Sequence, residues 1–209
     1  MTDPCFITVE GIEGAGKTTC LNLIEQRVRQ RGHPVLVTRE PGGTALGEAR
    51  RTLLLGHRHE GRADDTALLW MFAARAEHLH KVIIPALNAG TNVLCDRFTE
   101  ATYAYQGGGR ELGMEKIADL ENWVQGDLRP DLTVVLDAPV DIGRERAGKR
   151  SAPDRIEKEK NDFFDKVRNT YLEQAKQHPE RIAVVDASVE LEQVQQQIYD
   201  VLLNYRIIE

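Results

Sequence analysis

Five short runs dominated by Val, Ile and Leu punctuate the chain: Cys5 to Glu10, Val35 to Arg39, Asn92 to Asp96, Leu132 to Asp137 and Arg181 to Asp186. Each is nearly continuous in apolar residues, as a strand buried on both faces requires. Helical patterns separate them. Leu21, Ile24 and Val28 fall on one helical face, the stretch from Asp64 to Leu87 reads as a longer helix, and the stretch from Leu191 to Tyr205 carries Val194, Ile198, Val201, Leu202 and Tyr205 at helical spacing. Strands alternating with helices predict a doubly wound α/β fold around a five-stranded parallel sheet, with helices on both faces. At 209 residues the chain has room for one sizeable core, so we expect a single domain over 1–209.

Ligands of such folds gather at the carboxyl ends of the strands. The first run leads into Gly11-Ile12-Glu13-Gly14-Ala15-Gly16-Lys17-Thr18, followed by Thr19. This is the full P-loop pattern in its required setting, after a strand and at the start of a helix. Its glycines let backbone N–H groups turn inward around phosphate, Lys17 reaches the β- and γ-phosphates, and the Thr18 hydroxyl can ligate magnesium. The chain is therefore expected to bind a nucleoside triphosphate. Three uses compete: a guanine switch, an ATP-driven motor, or a kinase for a small acceptor. The Asn-Lys-x-Asp stretch of a guanine switch does not occur, and a motor needs more chain. A kinase needs cations converging on the transferred group and a second phosphate site.

Composition narrows the partners. A net charge of −6 argues against nucleic-acid binding, which needs a basic surface. No apolar stretch reaches the roughly 20 residues that span a bilayer, and the N-terminus lacks the order of a signal peptide, so a cytoplasmic protein without a membrane partner is expected. Cys5, Cys20 and Cys95 are odd in number, far apart and set in apolar contexts, and read as small buried hydrophobes.

The strand ends supply the second site. TREPGG (Thr38 to Gly43) follows the second run, DRFTEATYAYQGGGR (Asp96 to Arg110) follows the third, and MFAAR (Met71 to Arg75) lies in the long helix. Together with Glu13 in the P-loop and the basic, glycine- and proline-bearing segment Ala147 to Arg155, these closely resemble the thymidylate kinase family over nearly the whole chain, in its bacterial type with lid arginines. The resemblance implies a P-loop nucleoside-monophosphate-kinase fold with a short mobile lid at about residues 144–156. It implies transfer of the γ-phosphoryl of ATP to dTMP, giving dTDP on the route to dTTP, with magnesium. Relatives are homodimers, and the apolar face of the long helix is either a dimer interface or core.

Residue by residue, the resemblance gives Arg97 and Arg51 to the dTMP phosphate, where a guanidinium fork suits phosphate oxygens. Asp96 joins Thr18 at magnesium, and Glu40 with Pro41 lies near the metal or the acceptor phosphate. Glu13 contacts the acceptor sugar. Arg75, Thr102 and Gln106 read the thymine edge, and Tyr105 crowds the sugar 2′-position. The family's aromatic four residues before that arginine is Met71 here, so either Met71 packs on the base or Phe72 stacks. Ala101 stands where relatives often carry serine, which leaves hydroxyl chemistry to Thr102. Arg150 matches the lid arginine that stabilises the transferred phosphoryl together with Lys17, and Arg146 and Lys149 are its neighbours. Asp137 stays unassigned, since helix capping explains it as well, and Tyr103 reads as packing. A kinase for another nucleoside monophosphate, or a nucleotide-binding switch without turnover, are the alternatives.

Overall fold

The computed structural model describes residues 4–30, 32, 34–55, 63–148 and 159–208. Its strands are β1 (Phe6–Glu10), β2 (Val35–Arg39), β3 (Asn92–Asp96), β4 (Leu132–Asp137) and β5 (Ile182–Asp186), each within one residue of the apolar run that announced it. All pair in parallel, in the order β2-β3-β1-β4-β5. The central strands β1, β3 and β4 are buried almost throughout. The edge strands β2 and β5 alternate, with Val37 and Val184 turned outward, because an edge strand is not covered on both faces.

Ile7, Val9 and Leu94 join a large cluster with α1 (Lys17–Gln30), α8 (Asn161–Gln177) and α9 (Leu191–Asn204). Phe6, Val93 and Cys95 join a second cluster with Leu79, Ile83 and Phe98. Successive strand residues point to opposite faces, so these two sets of side chains cover both sides of the sheet. Polar side chains inside it are satisfied in place: Thr8 and Thr133 share a hydrogen bond of 2.8 Å between β1 and β4.

The long helical stretch runs as α3 (Asp64–His78), a wider π turn (Leu79–Ile83) and α4 (Ile84–Asn88). The π turn was not foreseen. Pro85, near the start of α4, has no N–H to donate to the turn before it, and a wider turn absorbs that loss. Helices α2 (Ala45–Leu55), α5 (Thr99–Thr102), α6 (Met114–Gln125) and α7 (Val140–Gly148) complete the layers, with a second π turn over Tyr103–Gly109. Leu68, Phe72 and Ile117 pack between α3 and α6.

One expectation needs correction. Cys20 and Cys95 are buried, but Cys5 is only half-buried: it sits at the rim before β1, where its N–H and thiol both meet Asn92 Oδ1. Asp137, which the sequence leaves unassigned, accepts from Arg168 of α8 at both oxygens, at 2.6 and 2.9 Å. Among the described residues no helix is long and apolar enough to cross a membrane.

Candidate active site

The P-loop leaves β1 and turns into α1 with Gly14 at φ +78°, and a Cβ there would run into the carbonyl of Gly143 on α7. Only glycine accepts both constraints. Lys17 opens α1, and its ammonium donates to the carbonyls of Gly11 and Ile12, each at 3.1 Å. Burial, then the Arg97 charge, pushes its pKa down to about 8, while Glu13, Asp96 and Glu10 pull the other way. Thr18 and Thr19 are exposed on the first turn of the helix, and Asp96 Oδ1, at the end of β3, is buried without a hydrogen-bond partner. A hydroxyl and a carboxylate beside a phosphate loop fit a hard cation such as magnesium, which takes one or two protein oxygens and completes its shell with phosphates and water. Against the loop lies a cavity of about 240 Å³, lined by Gly14, Ala15, Gly16 and Thr19 on one side and by Ala187, Val189 and Leu191 on the other. Arg146 closes it, with Nη1 donating to Ala187 O at 2.8 Å.

Three strand ends meet beside this loop. The Arg97 N–H donates to Val9 O at 3.0 Å and the Glu40 N–H to Asp96 O at 2.9 Å, which ties the P-loop, the REPGG turn and the DR pair together. Arg97 adopts φ +69°, a left-handed conformation that costs a residue with a Cβ roughly 1–2 kcal/mol and gathers at functional sites. The next N–H, of Phe98, donates to Glu10 Oε1 at 2.6 Å and holds the turn. Arg97 then reaches across to Glu13, Nη2 to Oε1 at 2.8 Å, with its guanidinium 4.8 Å from the centre of the Tyr105 ring. The Tyr105 hydroxyl donates to both Glu13 oxygens, at 2.9 and 2.8 Å. Burial works to raise the Glu13 pKa, but Arg97 and Lys17 outweigh it and leave the carboxyl below its ordinary range. The Arg97 guanidinium thus lies one hydrogen bond from the P-loop. Arg51 donates to Pro41 O at 3.0 Å, which keeps it on the REPGG turn.

Two of the base-reading candidates, Arg75 and Thr102, also converge. Arg75 is 1% exposed; its Nε donates to Glu40 Oε2 at 2.8 Å and its Nη2 to Thr102 Oγ1 at 3.0 Å. Phe72 and Phe98 flank the guanidinium, their ring centres 4.8 and 4.7 Å away. Arg75 Nη1 and Gln106 Oε1 remain buried without a hydrogen-bond partner, one a donor and the other an acceptor. Such groups are rare in a folded interior, because each unsatisfied one costs about 1–3 kcal/mol. Phe72 is 2% exposed and committed beneath Arg75, whereas Met71 keeps part of its surface open. Tyr103 donates to Glu121 Oε2 at 2.6 Å and packs against the cluster of Leu68, Phe72 and Ile117, in keeping with packing.

Sequence reasoning missed three buried polar residues of this region. His78 is fully buried, with Nδ1 at 3.0 Å from Glu40 Oε1 and Nε2 at 2.7 Å from Thr38 Oγ1. Glu10 accepts from Tyr171 of α8 at 2.8 Å as well as from Phe98. Burial, with Glu100 nearby, pushes its carboxyl up to about 7, against the pull of Arg97, Tyr171 and the Phe98 amide. His78 lies three residues after Arg75, on the same helix face, and that spacing was the available signal. Lys149 and Arg150 lie outside the described residues.

A family model described as thymidylate kinase matches residues 9–198. The thymidylate kinase of Pseudomonas syringae pv. tomato is 58% identical over 190 residues, covering 91% of this chain and 90% of that protein. That of Nitrosospira multiformis is 54% identical over 193 residues, covering 92% and 94%. The crystal structure of thymidylate kinase from Ehrlichia chaffeensis matches with a TM-score of 0.77 at 33% identity, over 97% of this chain and 99% of that one.

Proposed function

Since the chain belongs to the thymidylate kinase family, we propose that the residues gathered at the ends of β1, β2 and β3 hold ATP and dTMP with their phosphates head to head. The reaction itself, phosphorylation of dTMP by a nucleoside monophosphate kinase, comes with the family, and ATP is the family's donor. The P-loop amides and Lys17 take the donor phosphates, with Lys17 exchanging its own loop carbonyls for phosphate oxygens. Thr18 and Asp96 hold magnesium, which when bound neutralises charge on the donor phosphates. The cavity closed by Arg146 takes the nucleoside of ATP.

Arg97 and Arg51 grip the acceptor phosphate, and a dTMP oxygen attacks the γ-phosphorus as the bond to ADP breaks. Positioning and charge stabilisation carry most of such a transfer. Lys17 and, from the lid, Arg150 face the charge on the moving phosphoryl; Glu40 and Pro41 border the acceptor phosphate, while Glu13 and Tyr105 lie at its sugar. On the base side Met71 packs its thioether on thymine, and Phe72 supports Arg75 from below.

One observation carries the acceptor assignment: Arg75 Nη1 and Gln106 Oε1 are both buried and unpaired, the first on the guanidinium that donates to Thr102 and the second four residues after Thr102 along the same helical segment. Thymine presents O4 as an acceptor and N3–H as a donor, which complements them. Cytosine presents the reverse pattern and would leave both protein groups unmatched, a penalty that polar pockets use to reject near analogues. ADP release from ATP and magnesium, measured with each nucleoside monophosphate in turn, tests this directly. Turnover should be highest with dTMP, and equal turnover with dCMP would defeat the assignment.

We further propose that residues 1–209 act as one kinase domain in the cytoplasm, where its soluble substrates are, and as a homodimer. Leu69, Ala73 and Ala76 form an exposed apolar stripe on α3, opposite its buried side, and suit a second copy. Sedimentation should give twice the 23.5 kDa chain mass, and a single-chain mass would refute the dimer.

A further inference from the structure

We infer that His78 is a positioning residue for base selectivity: through Glu40 it holds Arg75 in the one orientation that leaves Nη1 for the base. The inference rests on Arg75 reading the base, as proposed above.

Glu40 sits between two partners, with Oε2 on Arg75 Nε at 2.8 Å and Oε1 on His78 Nδ1 at 3.0 Å. Its ion pair with a guanidinium that can only donate makes Glu40 a carboxylate, which can only accept. Nδ1 must be the donor, and Nε2 on the far side of the ring lies 2.7 Å from the Thr38 hydroxyl, which can pair with it. Thr38 belongs to β2, Glu40 to the turn after it, and His78 and Arg75 to α3. The ring also lies against the backbone of Gly43, at φ +78°, where a Cβ would strike Nε2. One imidazole thus fixes the acceptor-side turn to the helix that carries the base reader.

Without that donor, Oε1 would compete with Oε2 for the guanidinium. Arg75 could then turn Nη1 onto Glu40 and away from the base. The alternative is a ring that only fills space, and conservative variants separate the two. Asparagine places its amide nitrogen near Nδ1, so His78→Asn keeps the donor to Glu40. Glutamine reaches toward Nε2, so His78→Gln serves Thr38 and abandons Glu40.

The full chain is assayed with ATP and magnesium against dTMP and dCMP, alongside the melting temperature and the KM for ATP. His78→Gln should lower kcat/KM for dTMP about tenfold, mainly through KM, as expected for a lost hydrogen bond to a charged group. Its preference for dTMP over dCMP should fall by a similar factor. His78→Asn should keep that preference within about threefold of the native value, and the KM for ATP should hold in both. A preference unchanged in His78→Gln, or lost equally in both variants, overturns the inference even if both melt lower. Arg75→Ala is the separate arm. If it leaves the dTMP preference intact, the base-reading role falls; if it abolishes the preference while His78→Gln does not, only the His78 relay falls. Should His78→Gln fail to fold, Thr38→Val carries the test. It keeps the branched shape but takes the hydroxyl partner from Nε2, so the ring loses the contact that holds Nδ1 on Glu40. A lower dTMP preference supports the relay, and an unchanged one overturns it.

Discussion

Glu10 offers a measurable consequence of building a phosphate site on a buried strand end. Its carboxyl is fully buried between the Phe98 amide and the Tyr171 hydroxyl, and burial with Glu100 lifts its pKa from 4.5 to about 7. The folded chain therefore keeps a proton that the unfolded chain releases between those two values. Ionising the folded carboxyl then costs stability, and the cost grows as pH rises through that window until it is complete above about 7. At 1.36 kcal/mol per unit, a rise from 4.5 to about 7 corresponds to about 3 kcal/mol. Glu10→Gln removes the titration and keeps the shape. Its oxygen still accepts from the Phe98 N–H, and the Tyr171 hydroxyl can turn to accept from the new amide. Urea unfolding of both proteins at pH 5 and pH 8 is the assay. Glu10→Gln should match the native protein within about 1 kcal/mol at pH 5 and exceed it by about 3 kcal/mol at pH 8. An identical pH dependence in the two proteins would refute the buried, titrating carboxyl. Turnover should survive, because the amide clasp behind Arg97 survives; a collapse would mean that the charge of Glu10 itself is needed.

Lys17 should impose an alkaline limit: as pH rises through about 8 the free enzyme loses the ammonium that meets the triphosphate, so kcat/KM for ATP should fall there. Lys17→Arg, whatever its remaining rate, should lose that inflection, and an inflection that persists would assign it elsewhere. Gly14→Ala should raise the KM for ATP at least about tenfold and destabilise the fold by about 1–2 kcal/mol, since φ +78° and the Gly143 carbonyl both oppose a Cβ. A native KM for ATP would contradict the cradle. Arg150→Ala should lower kcat far more than dTMP affinity, and equal losses in both would remove it from the transition state.

The strands were legible because burial on both faces writes a simple code, an apolar run with no alternation. β1, β3 and β4 obey it, and even the alternating edges β2 and β5 begin within a residue of their runs. Glycine and lysine spacing exposed the P-loop, since only a few residue types tolerate its backbone. The convergence of REPGG, Asp96-Arg97 and Arg75 was legible as motifs, whereas its supports were not. His78, Glu10 and Tyr171 act through partners 38 to 161 residues away, and nothing local marks such contacts. The choice between Met71 and Phe72 turns on helix rotation, and the packing of Phe72 against Leu68 and Ile117, with Met71 left partly open, was not legible in the sequence. The π turn at Leu79–Ile83 escaped for a similar reason: its cause, Pro85, lies beyond its own span.

A crystal structure with an adenosine–thymidine bisubstrate mimic tests the central arrangement most directly. Arg97 should leave Glu13 for the thymidine-side phosphate with Arg51 beside it, and Arg75 Nη1 and Gln106 Oε1 should close on O4 and N3–H of the base. Arg97 still bound to Glu13, with the thymine outside the reach of Arg75, would contradict it.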